Sequence, residues 1–360
     1  KEIRELKINP HPYTFNQTHH AQWINENYSS LAKGEKTSKK VRVAGRIMLR
    51  RVMGKVSFFH LQDQSGRVQL MIREDKVGKK NYDILTRLLD LGDLLGIEGT
   101  VLKTKLGEVS ILVSSHEILG KALLPLPEKF HGLKDEEIRY RQRYLDLIMN
   151  PEVKEVFIKR AKIYKAIREF LDKKGFMEVR TPILQPQYGG ANARPFVTNI
   201  NAWNMPMYLR VAYELDLKRL LVGGFEKIYD LSSCFRNEGV DRTHNPEFAM
   251  MEIQWAYADY HDAMSLTEEL WEYVAKEVLG TTIIEFSGKK IDLKAPWKRL
   301  SIKDGLKKLV KIDVDKLSDK ELKAMIKKHK IELHGHSRGE MIFALFEEMC
   351  EDQLVQPTHV

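Results

Sequence analysis

The stretch FRNEGVDRTHNPEFAMME, from Phe235 to Glu252, concentrates the residue types that hold a nucleoside triphosphate. Arg236 offers a planar fork able to bridge a carboxylate and an α-phosphate. Arg242 and His244 can neutralise outer phosphates, and Phe248 presents a flat face to a purine. Such a cluster needs two antiparallel strands joined by a polar loop, and the sequence supplies them. One strand ends at Phe235, and the next reads EFAMMEIQWAYADY from Glu247. Two other groupings could do chemistry. Cys234 and Cys350 could be a metal ligand or a nucleophile, but their isolation and lack of a CxxC spacing favour two reduced structural thiols. His334 and His336 of HGHSRG could pair on a metal, against which a solvated turn is the simpler reading.

The elements that would position these groups change character along the chain. Residues 15–36 carry a helix-like spacing (Phe15, Trp23, Ile24, Tyr28, Leu31), and KGEKTSKK reads as a linker. From Val41 the apolar period becomes two. VRVAGRIMLRRV, KVSFFHLQD, GRVQLMIRED, DLLGIEGTVLKT and GEVSILVSSHEIL are five strand candidates, with the helical NYDILTRLLDLG between the third and fourth. That order is the order of an OB-fold barrel. Its outward aromatics would stack unpaired bases: one of Phe58 and Phe59 must face out, with Arg46, Arg50 and Arg51 on the first strand and Gln69 on the third. Taken alone, the Phe pair reads more simply as one core and one edge residue. The chain is expected to divide into an N-terminal extension and linker (1–40), the barrel (41–120), a Pro- and charge-rich connector (121–150) and an α+β domain (151–360). That last domain opens with a helix over Pro151–Lys174 whose stripe is Val156, Ile163, Ile167, Phe170 and Leu171.

The 360 residues suffice for two domains. Hydrophobic residues at 43% and charged residues at 30% are ordinary for a globular chain, and no apolar run is long enough to span a membrane. The charged N-terminus has no signal-like apolar core, so a cytoplasmic location is expected. The net charge of +9, from 59 basic and 50 acidic groups, leans toward a polyanionic partner without requiring one. The lysine-rich run at 308–330 reads as a solvated helical face.

At this point the motifs resemble a family. FRNEG followed by THNPEF is similar to motif two of the class II aminoacyl-tRNA synthetases in its lysine form. KKGFMEVRTPIL, with Pro182, resembles motif one. KFHGLKDEEIRYRQRYLDLI, GGANARPF, LKRLLVGGFEKIYDL and the barrel stretch VAGRIMLRRVMGKVSFFHLQDQSGRVQLMI resemble lysyl-tRNA synthetase segments in the same order. The resemblance implies an α+β fold, with an OB-fold anticodon-binding barrel followed by an antiparallel-sheet catalytic core. It implies lysine activation with ATP and Mg²⁺, transfer to tRNA(Lys), and a homodimer built on motif one around Pro182. By the same resemblance Arg236 bridges the lysine carboxylate and the α-phosphate, while Glu238, His244, Asn245 and Phe248 cradle ATP. Gly190 admits the amino-acid backbone, Glu214 takes its α-amino group, Glu252 adds a pocket carboxylate, and Gln254 lies beside it. Arg46, Phe58 and Gln69 fall at anticodon-reading positions.

Three departures from the family pattern stand out. Tyr213 replaces the proline of APEL, and Gln254 replaces a tyrosine that helps hold the ε-ammonium; an amide can still accept from an ammonium. No GxGxGxxR occurs, so the metal carboxylates and the arginine of motif three are not in this sequence, and no metal ligand is assigned. Together with the start at Lys1 and the end at LVQPTHV, this points to a fragment of a longer product whose 360 residues do not activate lysine unaided. Two rivals remain. An aspartyl- or asparaginyl-tRNA synthetase shares the domain order, but its aspartate pocket would need a cation where Glu214 and Glu252 stand. A catalytically inactive RNA-binding relative would lack motif three altogether.

Overall fold

The alternating pattern from Val41 closes into a barrel because one side of each strand is apolar and can bury only against the others. In the computed structural model, β1 (Lys36–Met53), β2 (Val56–Gln62), β3 (Arg67–Arg73), β4 (Leu94–Lys103) and β5 (Val109–Gly120) run in the closed order β1-β2-β3-β5-β4. The β3–β5 pairing is parallel and the other ladders are antiparallel. Val43, Ile47, Phe59, Leu61, Leu70, Ile97 and Ile111 are among the residues filling the interior. The structure describes residues 1–127, 133–333, 335 and 337–360. His334 and His336, and the KFHG that opens the connector motif, lie outside the described residues.

Three N-terminal expectations are corrected. Beyond a short turn of helix, α1 (Glu2–Glu5), helix forms only over α2 (Ala21–Tyr28). Phe15 stands in extended chain, its ring against Gly96, where a Cβ would come within 2.5 Å of it. Thr18 hydrogen-bonds the main chain of Arg42 in both directions, at 2.9 Å each way, so the segment is tied to the barrel. The lysine-rich stretch is not a linker after all: Lys36–Lys40 already belong to β1, with Lys36 opposite Leu102 and Lys40 opposite Thr100. Between β3 and β4 the expected helix starts early and is broken into α3 (Glu74–Val77), α4 (Lys79–Asp83) and a π turn at Ile84–Leu88.

The chain forms two compact units, Lys1–Val156 and Phe157–Val360. The first ends in α5 (Glu136–Arg141) and α6 (Arg143–Met149), pinned by Asp146, whose buried carboxylate accepts from Arg139 at 2.8 Å, from Asn150 at 2.7 Å and from Arg143. Next comes α7 (Val153–Lys173), of the length the spacing predicts, but its apolar stripe is buried only toward the C-terminus. Phe170 and Leu171 are core and Ile167 packs on it, whereas Val156 is 65% and Ile163 37% exposed.

The second unit is built on β6 (Met177–Glu178), β10 (Lys227–Phe235) and β11 (Glu247–Trp255), in the order β11-β10-β6. β10 and β11 are antiparallel as expected, whereas β6 joins in parallel. Alternate residues separate two layers. Tyr229, Leu231, Met251, Ile253 and Trp255 pack with α7 and with α9 (Tyr260–Leu279), and Ile228, Cys234, Phe248 and Met250 pack with α8 (Glu214–Val222). The strand predicted to reach Tyr260 stops at Trp255. Tyr257 takes a φ of 62° and Asp259 opens α9 with a capping box to Asp262. A second small sheet joins β7 (Leu184–Gln185), β9 (Met205–Leu209) and β8 (Val197–Ile200). Beyond α9 come the hairpin β12 (Ile283–Phe286)–β13 (Lys289–Asp292) and the short parallel pair β14 (Lys298–Arg299) and β15 (Thr358–His359). The helices α10 (Ile302–Leu309), α11 (Asp319–His329) and α12 (Arg338–Cys350) enclose their own core of Leu306, Leu322, Ile326, Met341, Leu345 and Phe346. On α11, Leu322 and Ile326 turn inward and the lysines outward, so the lysine run is a solvated face.

Candidate functional site

In the first unit, a groove of about 710 Å³ crosses the outer face of the barrel, and Phe58 and Gln69 both line it. Phe59 points the other way and is fully buried, so the Phe pair divides as its alternation requires. Lys36, Arg51, Arg73, Lys103 and Lys105 line the groove against the single carboxylate of Glu108. The Gln69 amide donates to Glu108 and its oxygen accepts from Ser110 at 2.7 Å, while His60 lies 3.2 Å from Glu108. Sequence reasoning passed over His60 and Glu108. His60 faces outward two residues on from Phe58, and that alternation was the available signal.

Arg46, Arg50 and Arg51 of β1 do not act together. A bulge between Ile47 and Leu49 reverses which parity faces out, which puts Leu49, Arg51 and Met53 in the groove. Arg50 instead donates to the Thr86 carbonyl, its guanidinium 5.9 Å from the Phe59 ring. Arg46 precedes the bulge, donates to the Gly92 carbonyl at 2.6 Å, and lines a separate depression with Gln17, His20 and Gln62. The structure brings Phe58 and Gln69 together and sets Arg46 apart from them.

In the second unit, Phe248, Glu252 and Gln254 share the α8 side of β11, opposite Cys234, Asp230 and Ile228 on β10. Arg236 follows directly after β10. Its guanidinium lies 5.1 Å from the centre of the Phe248 ring, its main-chain N–H donates to the Pro246 carbonyl at 2.9 Å, and its buried Nε has no partner. Glu238 accepts the Arg194 N–H at 3.0 Å and Asn237 donates to the Arg194 carbonyl at 2.8 Å, which ties the GGANARPF loop to the strand end. His244 and Asn245 are exposed on the loop between the strands. The His244 ring sits 2.8 Å from Asp241, whose carboxyl is held far below the usual range by the Thr243 N–H, the His244 ring and the Thr243 hydroxyl.

Glu214 begins α8 and is paired with Lys218 one turn on. Gly190 packs against it: at φ +84°, a Cβ on Gly190 would meet the Glu214 Cβ at 2.9 Å and the Ala212 Cβ at 3.1 Å. That contact and the positive φ are by themselves reasons for glycine here. Glu252 accepts the Tyr213 N–H at 3.2 Å. Burial pushes its carboxyl up; the Tyr213 N–H opposes this, the charges of Glu214 and Asp230 reinforce it, and Arg236 opposes it. Gln254 is half-buried beside it, one strand alternation away.

Beneath this face lies a network that the motifs did not reveal. Arg210, 1% exposed, donates to the Thr181 carbonyl at 2.8 Å, the Ser233 carbonyl at 2.9 Å and the Ser232 hydroxyl at 2.7 Å, with Asp230 at 3.5 Å. Asp230 accepts both the N–H and the hydroxyl of Thr181, at 2.9 and 2.8 Å. The residue before Pro182 is thereby fixed to β10. An arginine between Leu209 and Val211 in an apolar run was the one cue to it.

The geometry and the kinship agree. Residues 135–343 match the family of class II tRNA synthetases (D, K and N), and residues 41–119 match the OB-fold nucleic acid binding domain. The chain is 49% identical over 361 residues to the lysine–tRNA ligase of Thermoanaerobacter sp. (strain X514), covering 99% of this chain and 71% of that protein. It is 49% identical to that of Carboxydothermus hydrogenoformans, covering 100% and 73%, and 47% identical to that of Bacillus subtilis, covering 100% and 72%. With an OB-fold barrel, a class II catalytic core and this identity along its whole length, the chain belongs to the lysine–tRNA ligases of the class II aminoacyl-tRNA synthetases.

Proposed function

We propose that this protein activates lysine with ATP and transfers it to tRNA(Lys), with the pocket between α8 and the β10–β11 hairpin as the site of activation. The observation that carries this reading is the placement of two carboxylates, Glu214 and Glu252, around a face whose far end holds the Arg236 guanidinium over Phe248. A diammonium amino acid needs such carboxylates, because a buried ammonium is costly unless it is received. An aspartate side chain would be repelled there. Gly190, packed against Glu214, brings its main chain beside the substrate backbone and Glu214 takes the α-amino group, while Glu252 with Gln254 receives the side-chain ammonium.

The reaction needs no protein base. The lysine carboxylate is the nucleophile, it attacks the α-phosphorus, and pyrophosphate leaves. Arg236, whose Nε is buried and unpartnered, aligns the two anions and neutralises the charge that grows between them. Phe248 offers its ring to the adenine, and Glu238, His244 and Asn245 on the loop close around the nucleotide. The family implies Mg²⁺. Among the described residues no three acidic, histidine or cysteine side chains converge on a cation site, and Glu252 and Glu214 are engaged by Tyr213 and Lys218. These residues do not fit the metal, and no step is routed through it. Lysine-dependent ATP–pyrophosphate exchange by the full-length protein, run against the other amino acids, tests the reading; exchange with aspartate in place of lysine would overturn it.

The barrel, assigned to residues 41–120, reads the anticodon through Phe58 and Gln69, with the cations of the groove on the backbone. Phe58→Ala is expected to weaken tRNA charging by about 1–3 kcal/mol through lost stacking. Amino-acid activation should stay near its original rate. An equal fall in both would show that the barrel serves another purpose. No helix among the described residues is long and apolar enough to cross a membrane, and we place the enzyme in the cytoplasm.

The enzyme works as a homodimer joined at motif one. Ile183 and Leu184, just after Pro182, are each 45% exposed, and Met177 at 44% and Ile163 on α7 at 37% are further exposed apolar residues of the same unit. Sedimentation at micromolar protein is expected to give twice the chain mass, and charged substitutions at Ile183 and Leu184 should give single chains. A monomer in the unsubstituted full-length protein would sink the assignment.

A further inference from the structure

Tyr213 stands where the family pattern has proline, and it is fully buried at the entry to α8. A proline has no N–H to give; Tyr213 does, and donates it to Glu252. We infer that Tyr213 is a positioning residue of the amino-acid pocket, whose main-chain N–H aims the Glu252 carboxylate at the substrate's side-chain ammonium. This rests on the reading of Glu252 proposed above.

The donor is held in place from behind. The phenol oxygen lies 2.5 Å from the Ser232 carbonyl and 3.1 Å from that of Met250, and accepts the Ser232 N–H at 3.2 Å, so it bridges β10 and β11. The Arg210 guanidinium lies 4.4 Å from the centre of the ring, and Arg210 is itself fixed by Thr181 and Ser233. With no exposed surface, the tyrosine ring cannot touch substrate; it acts through Glu252.

The surroundings make the N–H matter. Glu252 is faced by Glu214 from α8, by Asp230 and Cys234 from β10, and by Arg236 beyond that strand. Of these only Arg236 favours the charged carboxylate, so the Tyr213 N–H is the other group that keeps Glu252 ionised and oriented. Removing it raises the carboxyl further and frees it to turn away.

The test is lysine-dependent pyrophosphate exchange by the full-length protein as a function of pH, with Tyr213→Pro, Tyr213→Phe and Glu252→Gln. Tyr213→Pro should raise the KM for lysine about tenfold, the scale of one hydrogen bond to a charged group. It should move the acid limb of kcat/KM for lysine to higher pH, with the KM for ATP unchanged. Tyr213→Phe keeps the N–H but loses its phenol anchor, and should move both the KM and the limb by less than Tyr213→Pro does. An unmoved limb in Tyr213→Pro, or an equal movement in Tyr213→Phe, overturns the inference. If Tyr213→Pro does not fold, Glu252→Asp withdraws the carboxylate from the same N–H and should move the limb upward; an unmoved limb there overturns the inference equally. Glu252→Gln separates the two levels: an unchanged KM for lysine in that variant would remove the pocket reading itself, whatever Tyr213 does.

Discussion

Glu252→Gln should raise the KM for lysine by at least a hundredfold, while the KM for ATP stays close to its original value. Breaking a buried ion pair by deleting one partner costs about 3–5 kcal/mol, because the other charge is left uncompensated. The amide can still accept one hydrogen bond from the ammonium, but it carries no charge to offset desolvation. Steady-state pyrophosphate exchange checks this, and a change of less than threefold would count against Glu252 as the receiver. The same carboxyl predicts a pH dependence. Burial raises it above the ordinary glutamate value. As pH falls through that raised value, Glu252 protonates and the ammonium loses its counter-charge. The KM for lysine should therefore climb on the acid side at a higher pH than an ordinary glutamate would give. Bound lysine favours the ionised form, so saturating lysine should pull the limb back toward lower pH.

The second large effect is expected at Arg236. Arg236→Ala should lower kcat for lysine activation by about 10²–10³, the usual cost of removing one preorganised donor from a site of developing charge. Arg236→Lys should recover little of it. A lysine is a point charge without the planar fork that spans two anions, and it would not lie over Phe248 in the same way. Melting temperature should hardly change in either variant, since the Arg236 side chain is half-buried and its Nε makes no hydrogen bond within the fold. Rapid-quench measurement of lysyl-adenylate formation separates the chemical step from product release. A kcat within tenfold of the original would remove Arg236 from its assigned role.

Much of the architecture was legible because it is local. The barrel strands and α7 announce themselves through periods of 2 and 3.6, which depend only on neighbouring residues. The hairpin carrying Arg236 and Phe248 could be read in the same way, since a polar loop between two apolar runs is its own signature. The glycines and prolines marked the turns. What misled was spacing shared by two structures: Phe15 fits a helical stripe, yet its partner is Gly96 across the barrel.

By itself, then, the sequence determined the family, the order of its motifs, the strands of the barrel and the residue types gathered at the pocket. All of these live in short stretches of chain. The tertiary structure alone decided which side chains meet. The bulge at Met48 put Arg51 in the groove and turned Arg50 away from it, because one extra residue reverses the parity of a strand. Asp230, Arg210 and Thr181 are brought together from three separated segments, and Tyr213 reaches Glu252 across 39 positions of sequence. No periodicity encodes such contacts: they arise when burial leaves a charge or an N–H with only one place to go, and that place is set by the packing of the sheet against α8.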